Sequence, residues 1–313
     1  MRLILLSPLL LVFTACDPAK PALASSVSPP AATTVPVAAD LKNAVVRINS
    51  TQQSWNPGQP WEKNPPNQKH ALAAIVGPQR VLTTSELVTD ATFLEFESTD
   101  GTHFAAAKVI AVDYEANLAL LGPASEAEGQ SLFEKTTPLE IAAPTAIGSS
   151  LDILQVEQNG QALRTPGILQ SIDVTSEFLP GHGFLTYQVK ASMQNAASSY
   201  SLPVLSGGKL SGVLISYDSK DQICNVASND VVASFLKRSA SGTYSGFPSL
   251  GISTALTEDR SFRQWLKLAD DQGGIYIHNV RKGGAAQTAG VQKGDVLLAI
   301  DQHPIDQIGR AHV

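Results

Sequence analysis

The sequence predicts a mainly β protein: two β-barrels side by side, followed by a smaller α+β module. Three observations carry that class. Short β-type runs with turn signals between them fall into two clusters of about six between residues 41 and 238. A Gly- and Ser-rich linker, "SASGTYSGFP" at 239–248, then breaks the pattern. Beyond it, residues 249–313 mix strand candidates with helical periodicity.

The chain opens with an address. Arg2 supplies a minimal positive charge, Leu3 to Val12 is apolar, and Phe13-Thr14-Ala15-Cys16 closes the run before a cysteine. Residues 1–16 are too short to span a bilayer and resemble a bacterial lipoprotein signal peptide. That resemblance implies cleavage before Cys16, lipid attachment to it, and a membrane-anchored protein facing the periplasm; Asp17 resembles the residue that favours inner-membrane retention. Residues 17–40 contain five prolines and no aromatic residue, so they read as a tether. Extended as polyproline II, a segment of that length reaches on the order of 70 Å.

The first cluster consists of "NAVVRINS", "ALAAIVG", "RVLTTS", "TFLEFES", "AAAKVIAVD" and "NLALLG". Within it, "SWNPGQPWEKNPPNQK" is an insert that either binds a partner or packs Trp55 and Trp61 against the first barrel. The second cluster is "PLEIAA", "LDILQVEQ", "LRTPGILQSI", "FLTYQVKAS", "KLSGVLISY" and "QICNVAS". "SNDVVASFLKR" places Val231, Val232, Phe235 and Leu236 at helical spacing behind a capping start, predicting a helix over 228–238. In the last module, "LGIST", "GGIYIHNV" and "GDVLLAIDQHPI" read as strands around helical "EDRSFRQWLKLA" and "GAAQTAGV".

Composition excludes several function classes. With 43% hydrophobic residues, 16% charged residues, a net charge of −6 and no basic run, the chain is globular and has no electrostatic footprint for nucleic acid. The six histidines, His70, His103, His182, His278, His303 and His312, lack paired spacing typical of zinc sites, and Cys224 reads as a buried, unpaired thiol. "RKGGAAQTAG" lacks the Gly-Lys-Ser/Thr ending of a phosphate loop. No metal or cofactor is expected.

Three strings together resemble the trypsin-like domain of the HtrA (Deg) family. "RVLTTSELV" is similar to the segment carrying that family's catalytic histidine, "AVDYEANLALL" to the one carrying its aspartate, and "SSYSLPVLSGGKLSGVLIS" to the nucleophile loop with its proline. The resemblance implies a chymotrypsin-like double β-barrel over 41–238. It also implies that the three catalytic positions fall on Glu86, Asn117 and Tyr200, spaced 31 and 83 residues apart. Asp113 lies four residues too early to take the aspartate's place.

None of the three residues suits the chemistry. A serine nucleophile needs a neighbour that takes its proton and later returns it, a task imidazole performs near neutral pH. A glutamate is ionised there and a poor donor, an asparagine carries no charge to stabilise a cation, and tyrosine is bulky with a reference pKa of about 10. Ser206-Gly207-Gly208 is a β-turn by register rather than a nucleophile motif. Where the family has loop glycines, this chain has Ser198, Ser201 and Leu202, side chains that disfavour the left-handed backbone of an oxyanion hole. Ser198, Ser199 and Ser201 have no identifiable base.

Ser249-Leu250-Gly251-Ile252 and "GGAAQTAGVQKGDVLLAIDQHPI" are similar to a PDZ domain. The resemblance implies that the amides of Leu250, Gly251 and Ile252 receive a peptide's terminal carboxylate while the strand from Ile252 pairs with it. Expected PDZ sequence runs out at Val313, so the module reads as C-terminally incomplete. The resulting expectation is a catalytically inactive HtrA-like scaffold or regulator of the cell envelope. Its expected partners are peptide or protein C-termini, copies of itself, or an active HtrA-type homologue. The alternative expectation is an active endopeptidase of periplasmic quality control with a rearranged site.

Overall fold

The computed structural model describes residues 35–36, 39–156, 161–176, 182–193, 201–269 and 271–305. The signal-like segment with Cys16, most of the tether, Tyr200, Ser198, Ser199 and His312 lie outside them.

The first barrel is built from β1 (Val45–Gln52), β2 (Asn67–Gly77), β3 (Arg80–Thr83), β4 (Ala91–Glu97), β5 (Phe104–Asp113) and β6 (Leu118–Pro123). These close in the order β1-β2-β3-β6-β5-β4, every pair antiparallel. The second barrel comprises β7 (Ser150–Val156), β8 (Ala162–Thr175), β9 (Phe184–Ala191), β10 (Pro203–Ser206), β11 (Lys209–Asp218) and β12 (Ile223–Ser228). Its strands run β8-β7-β10-β11-β12-β9 and close through β8 on β9. Numbered within each barrel, both rings read first, second, third, sixth, fifth, fourth. One winding is used twice, and closure leaves neither barrel with an open edge.

Period-2 alternation explains how the barrels meet. In β6, Ala119 and Leu121 point into the first core, while Leu118 and Leu120 belong to the cluster that continues into the second barrel. β2 and β3 divide likewise: Ala73, Ile75 and Val81 inward, Leu72, Ala74 and Leu82 toward the second barrel. Strands buried on both faces read as continuous apolar runs, as "ALAAIV" and "LALL" do. Glu86 follows the end of β3 and Asn117 directly precedes β6.

Several elements differ from expectation. "PLEIAA" is no strand: between Pro138 and Pro144 it makes one bridge, Ile141 to Leu210, because prolines cannot continue a ladder. Helix α1 (Glu126–Phe133) was not anticipated; Gly129 weakens its pattern. That glycine is needed for space, since a Cβ there would lie 2.5 Å from Pro123 Cγ. Phe133 then stacks edge-on against Phe96, ring centres 5.6 Å apart, and plugs the first core. The tether's end is also structured: Val35 and Pro36 pair with Arg164 and Leu163 of β8.

Trp55 and Trp61 do not pack against the first barrel. They stand on a hairpin, Trp55–Asn56 against Gln59–Lys63, and are 56% and 75% exposed. Helix α2 (Asn229–Ser239) buries Val231, Val232 and Phe235 as its spacing requires. The linker after it lies back on the barrels: Tyr244 meets Phe235 and Phe247 meets Phe184 at ring distances of 5.1 and 4.9 Å.

In the C-terminal module, β13 (Ile252–Ala255), β14 (Ile275–Val280) and β15 (Val296–Leu297) form an antiparallel sheet with β13 at its edge. Helix α3 (Arg260–Leu266) starts where Asp259 accepts the Phe262 N–H at 2.7 Å. The short α4 is Ala285–Thr288.

Candidate functional site

The site grows from three chain segments meeting where the barrels join. After β3, the chain turns through one 3-10 turn, Ser85–Leu87, which presents Glu86. Asn117 ends the β5–β6 turn in left-handed backbone, φ +52°, and is buried. Ser201 leads into β10, also left-handed at φ +62°.

The structure brings Glu86 and Asn117 together, but through the backbone. Asn117 Oδ1 accepts Ser85 Oγ at 2.9 Å and the Glu86 N–H at 3.2 Å. The Glu86 carboxylate instead meets Lys69 of β2, Nζ to Oε1 2.8 Å. The Glu86 carbonyl accepts Gln52 Nε2 at 2.6 Å, and the neighbouring Leu87 carbonyl accepts Ser50 Oγ at 2.6 Å, so β1 fixes the turn from behind. The Glu86 carboxylate, its carbonyl and N–H, and Asn117 Oδ1 thus each have a structural partner. The Lys69 ammonium thus anchors the turn that carries Glu86.

Ser201 corrects an expectation. A side chain there was expected to disfavour the left-handed backbone, yet the backbone keeps it. The departure from favoured geometry, worth about 1–2 kcal/mol, is offset by the hydrogen bonds Ser201 makes in this conformation. Ser201 Oγ and Thr83 Oγ1 are 2.6 Å apart, the Thr84 N–H reaches Ser201 Oγ at 3.3 Å, and the Ser201 N–H donates to the Leu214 carbonyl at 2.6 Å. Ser201 is 1% exposed, and its hydroxyl joins the two barrels through Thr83.

Asp113 is turned away from this cluster. Its Oδ1 caps the β5–β6 turn by accepting the N–H groups of Glu115 and Ala116 at 3.0 and 2.8 Å, and its Oδ2 accepts Tyr244 Oη at 2.6 Å. Burial, with the carboxylate beside it, holds the Tyr244 hydroxyl well above the usual phenol range. His182 reaches this turn, where its Nδ1 contacts Glu115 Oε2. Sequence reasoning missed Lys69 and Ser85: their spacing from Glu86 carries no motif, and only strand register reveals them.

The loop before β13 forms a second site. The Leu250 carbonyl accepts the Ala286 N–H at 3.0 Å and the Gly251 carbonyl accepts the Arg281 N–H at 2.7 Å. In trans peptides the N–H opposes the carbonyl, so the amides of Gly251 and Ile252 face away from the module. Gly251 takes φ +71°, and its N–H meets Ser249 Oγ at 3.1 Å. Outward amides beside an edge strand are donors for an anionic oxygen.

The PDZ domain family model matches residues 248–313. "Protease Do-like 4, mitochondrial" of Arabidopsis thaliana is 26% identical over 262 residues, covering 83% of this chain and 49% of that protein. "Protease Do-like 2, chloroplastic" of the same plant is 24% identical over 268 residues, 84% of this chain and 43% of that protein. The chain thus spans about half the length of the curated relatives it matches. Among solved structures, HtrA-type protease AlgW with a tripeptide superposes with a TM-score of 0.63 at 18% identity, covering 86% of this chain and 85% of that one. AlgW with a decapeptide gives 0.61 at 17% identity, with coverages of 86% and 85%. With one barrel winding used twice and a PDZ module behind it, the chain has the fold of HtrA-type proteases and is similar in sequence to Do-like proteases.

Proposed function

We propose that this chain is a non-catalytic HtrA-type protein of the cell envelope, a scaffold or regulator that binds peptide C-termini through its PDZ module. The observation that carries the reading is the state of the two described catalytic positions. The Glu86 carboxylate is engaged by Lys69, and the Asn117 carbonyl oxygen is shared by Ser85 and the Glu86 N–H. Neither is an imidazole or a free carboxylate, and the third position is Tyr200. Loss of even one member of such a unit costs orders of magnitude in rate.

Peptide binding is supported by the outward amides of Gly251 and Ile252 at the edge of the β13 sheet and by the peptides named in the AlgW structures. In this reading residues 1–16 export the chain, Cys16 carries lipid, and the tether holds the barrels clear of an inner membrane on its periplasmic side. Copies of this chain or an active homologue are its further partners.

The test is cleavage of fluorescent casein by the purified full chain beside its Tyr200→Ser variant. No turnover above buffer is expected from either, since one restored hydroxyl brings no base. Robust cleavage by the unaltered chain, or a covalent adduct of a phosphonate probe on a serine between 198 and 206, overturns the reading.

A further inference from the structure

The geometry points to Arg281 as a specificity residue of the PDZ loop, one that selects peptides with an acidic side chain in their last two positions. This rests on the proposed reading of Leu250–Ile252 as the receiver of a terminal carboxylate and names the ligand class within it.

Arg281 follows β14 directly and is locked onto the loop by its own N–H, 2.7 Å from the Gly251 carbonyl. Its aliphatic stem lies across the Gly251 backbone: a Cβ built on Gly251 would be 3.3 Å from Arg281 Cβ and 3.9 Å from its Cδ. On the other flank, a Cβ on Gly284 would come within 3.6 Å of Arg281 Cβ. Two glycines therefore let the stem press against the loop as far as Cδ, so the exposed guanidinium extends from a stem fixed on the loop. Both Arg281 and its neighbour Lys282 are exposed. Among the described residues, neither is held in an ion pair with a carboxylate.

A guanidinium suits this position better than an ammonium would. Its planar fork binds a carboxylate through two parallel N–H bonds, and it stays charged throughout the accessible pH range. The terminal carboxylate occupies the loop amides, so the fork is left for a second carboxylate one side chain away. In this respect the loop reads chain-end charge, while the edge strand β13 reads backbone without regard to sequence.

The test is fluorescence anisotropy on the purified full chain with three labelled hexapeptides: Ala-Ala-Ala-Ala-Glu-Val, its Gln-Val counterpart, and the Glu-Val peptide amidated at its C-terminus. The Glu peptide should bind about threefold to fivefold tighter than the Gln peptide, as an exposed but well-aligned pair allows. That margin should shrink with added salt. Arg281→Ala should abolish the margin while leaving the Gln peptide's affinity, and Arg281→Glu should reverse it toward a Lys-Val peptide. Retained binding of the Gln peptide serves as the folding control. If both acid-ended peptides outbind the amide yet Arg281→Ala keeps the margin, or weakens both equally, the inference falls and the loop reading stands. If the amide binds as well as the free acid, or nothing binds, the loop reading falls and takes the inference with it.

Discussion

Lys69 and Glu86, seventeen residues apart, are joined by an ion pair of 2.8 Å between strand β2 and the turn that follows β3. The pair ties down the residue that the sequence resemblance aligns with the general base of HtrA-type proteases. With side chains 25% and 36% exposed, it is worth only about 0.5 kcal/mol in stability. Lys69→Met should therefore lower Tm by no more than about 1–2 °C. Under the proposed non-catalytic reading it should confer no proteolysis. A large drop in a thermal melt would mean that the pair does more than anchor a turn.

Ser201 offers an ordering of two variants. Ser201→Ala keeps the left-handed backbone strain and strips Thr83 and the Thr84 N–H of a buried partner, a loss of about 1–3 kcal/mol. Ser201→Gly loses the same bonds but relieves strain of about 1 kcal/mol. Urea denaturation should rank native above Gly above Ala. An alanine variant as stable as the native chain would show that the hydroxyl does not join the barrels.

Asp113 and Tyr244 make a graded pair. Tyr244→Phe removes one bond to a charged acceptor, about 1.5–3 kcal/mol, and leaves the turn cap intact. Asp113→Ala removes that bond and both amide partners in the turn, so it should be the more destabilising of the two in equilibrium unfolding. The reverse order would place the linker, not the turn cap, at the centre of the interaction.

Cys224 is fully buried, with its Sγ 3.6 Å from Met193 Sδ, and burial pushes its thiol up to about 12. The folded value lies above the unfolded one of about 8.5. Stability gained by keeping the thiol protonated is thus fully present below that pH, and it is lost as pH rises toward about 12. In a Cys16→Ser background, a thiol reagent at pH 8 should leave native Cys224 unmodified and label it on unfolding. Cys224→Ala should lessen the alkaline loss of stability. Rapid labelling of the native chain would contradict the burial.

Much of the fold could be read from local pattern. Runs such as "LALL" and "ALAAIV" gave continuous apolar strands, and the two glycines after Ser206 gave a tight hairpin, seen with φ +56° and +84° at Gly207 and Gly208. "PLEIAA" misled because its composition is strand-like while its flanking prolines deny it a ladder. Helix α1 escaped notice because Gly129 breaks its periodicity, and only the close approach of Pro123 explains the glycine.

By itself the sequence determined that positions 86, 117 and 200 carry Glu, Asn and Tyr, none of them a histidine, an aspartate or a serine. Tertiary structure alone decided what the described ones do instead. Lys69 reaches Glu86 because β2 is hydrogen-bonded beside β3, and Ser201 reaches Thr83 because the barrels share a wall. Partners brought together by strand register leave no local signature: the side chains touch across separations of 17 and 118 residues, distances over which composition and periodicity carry no information.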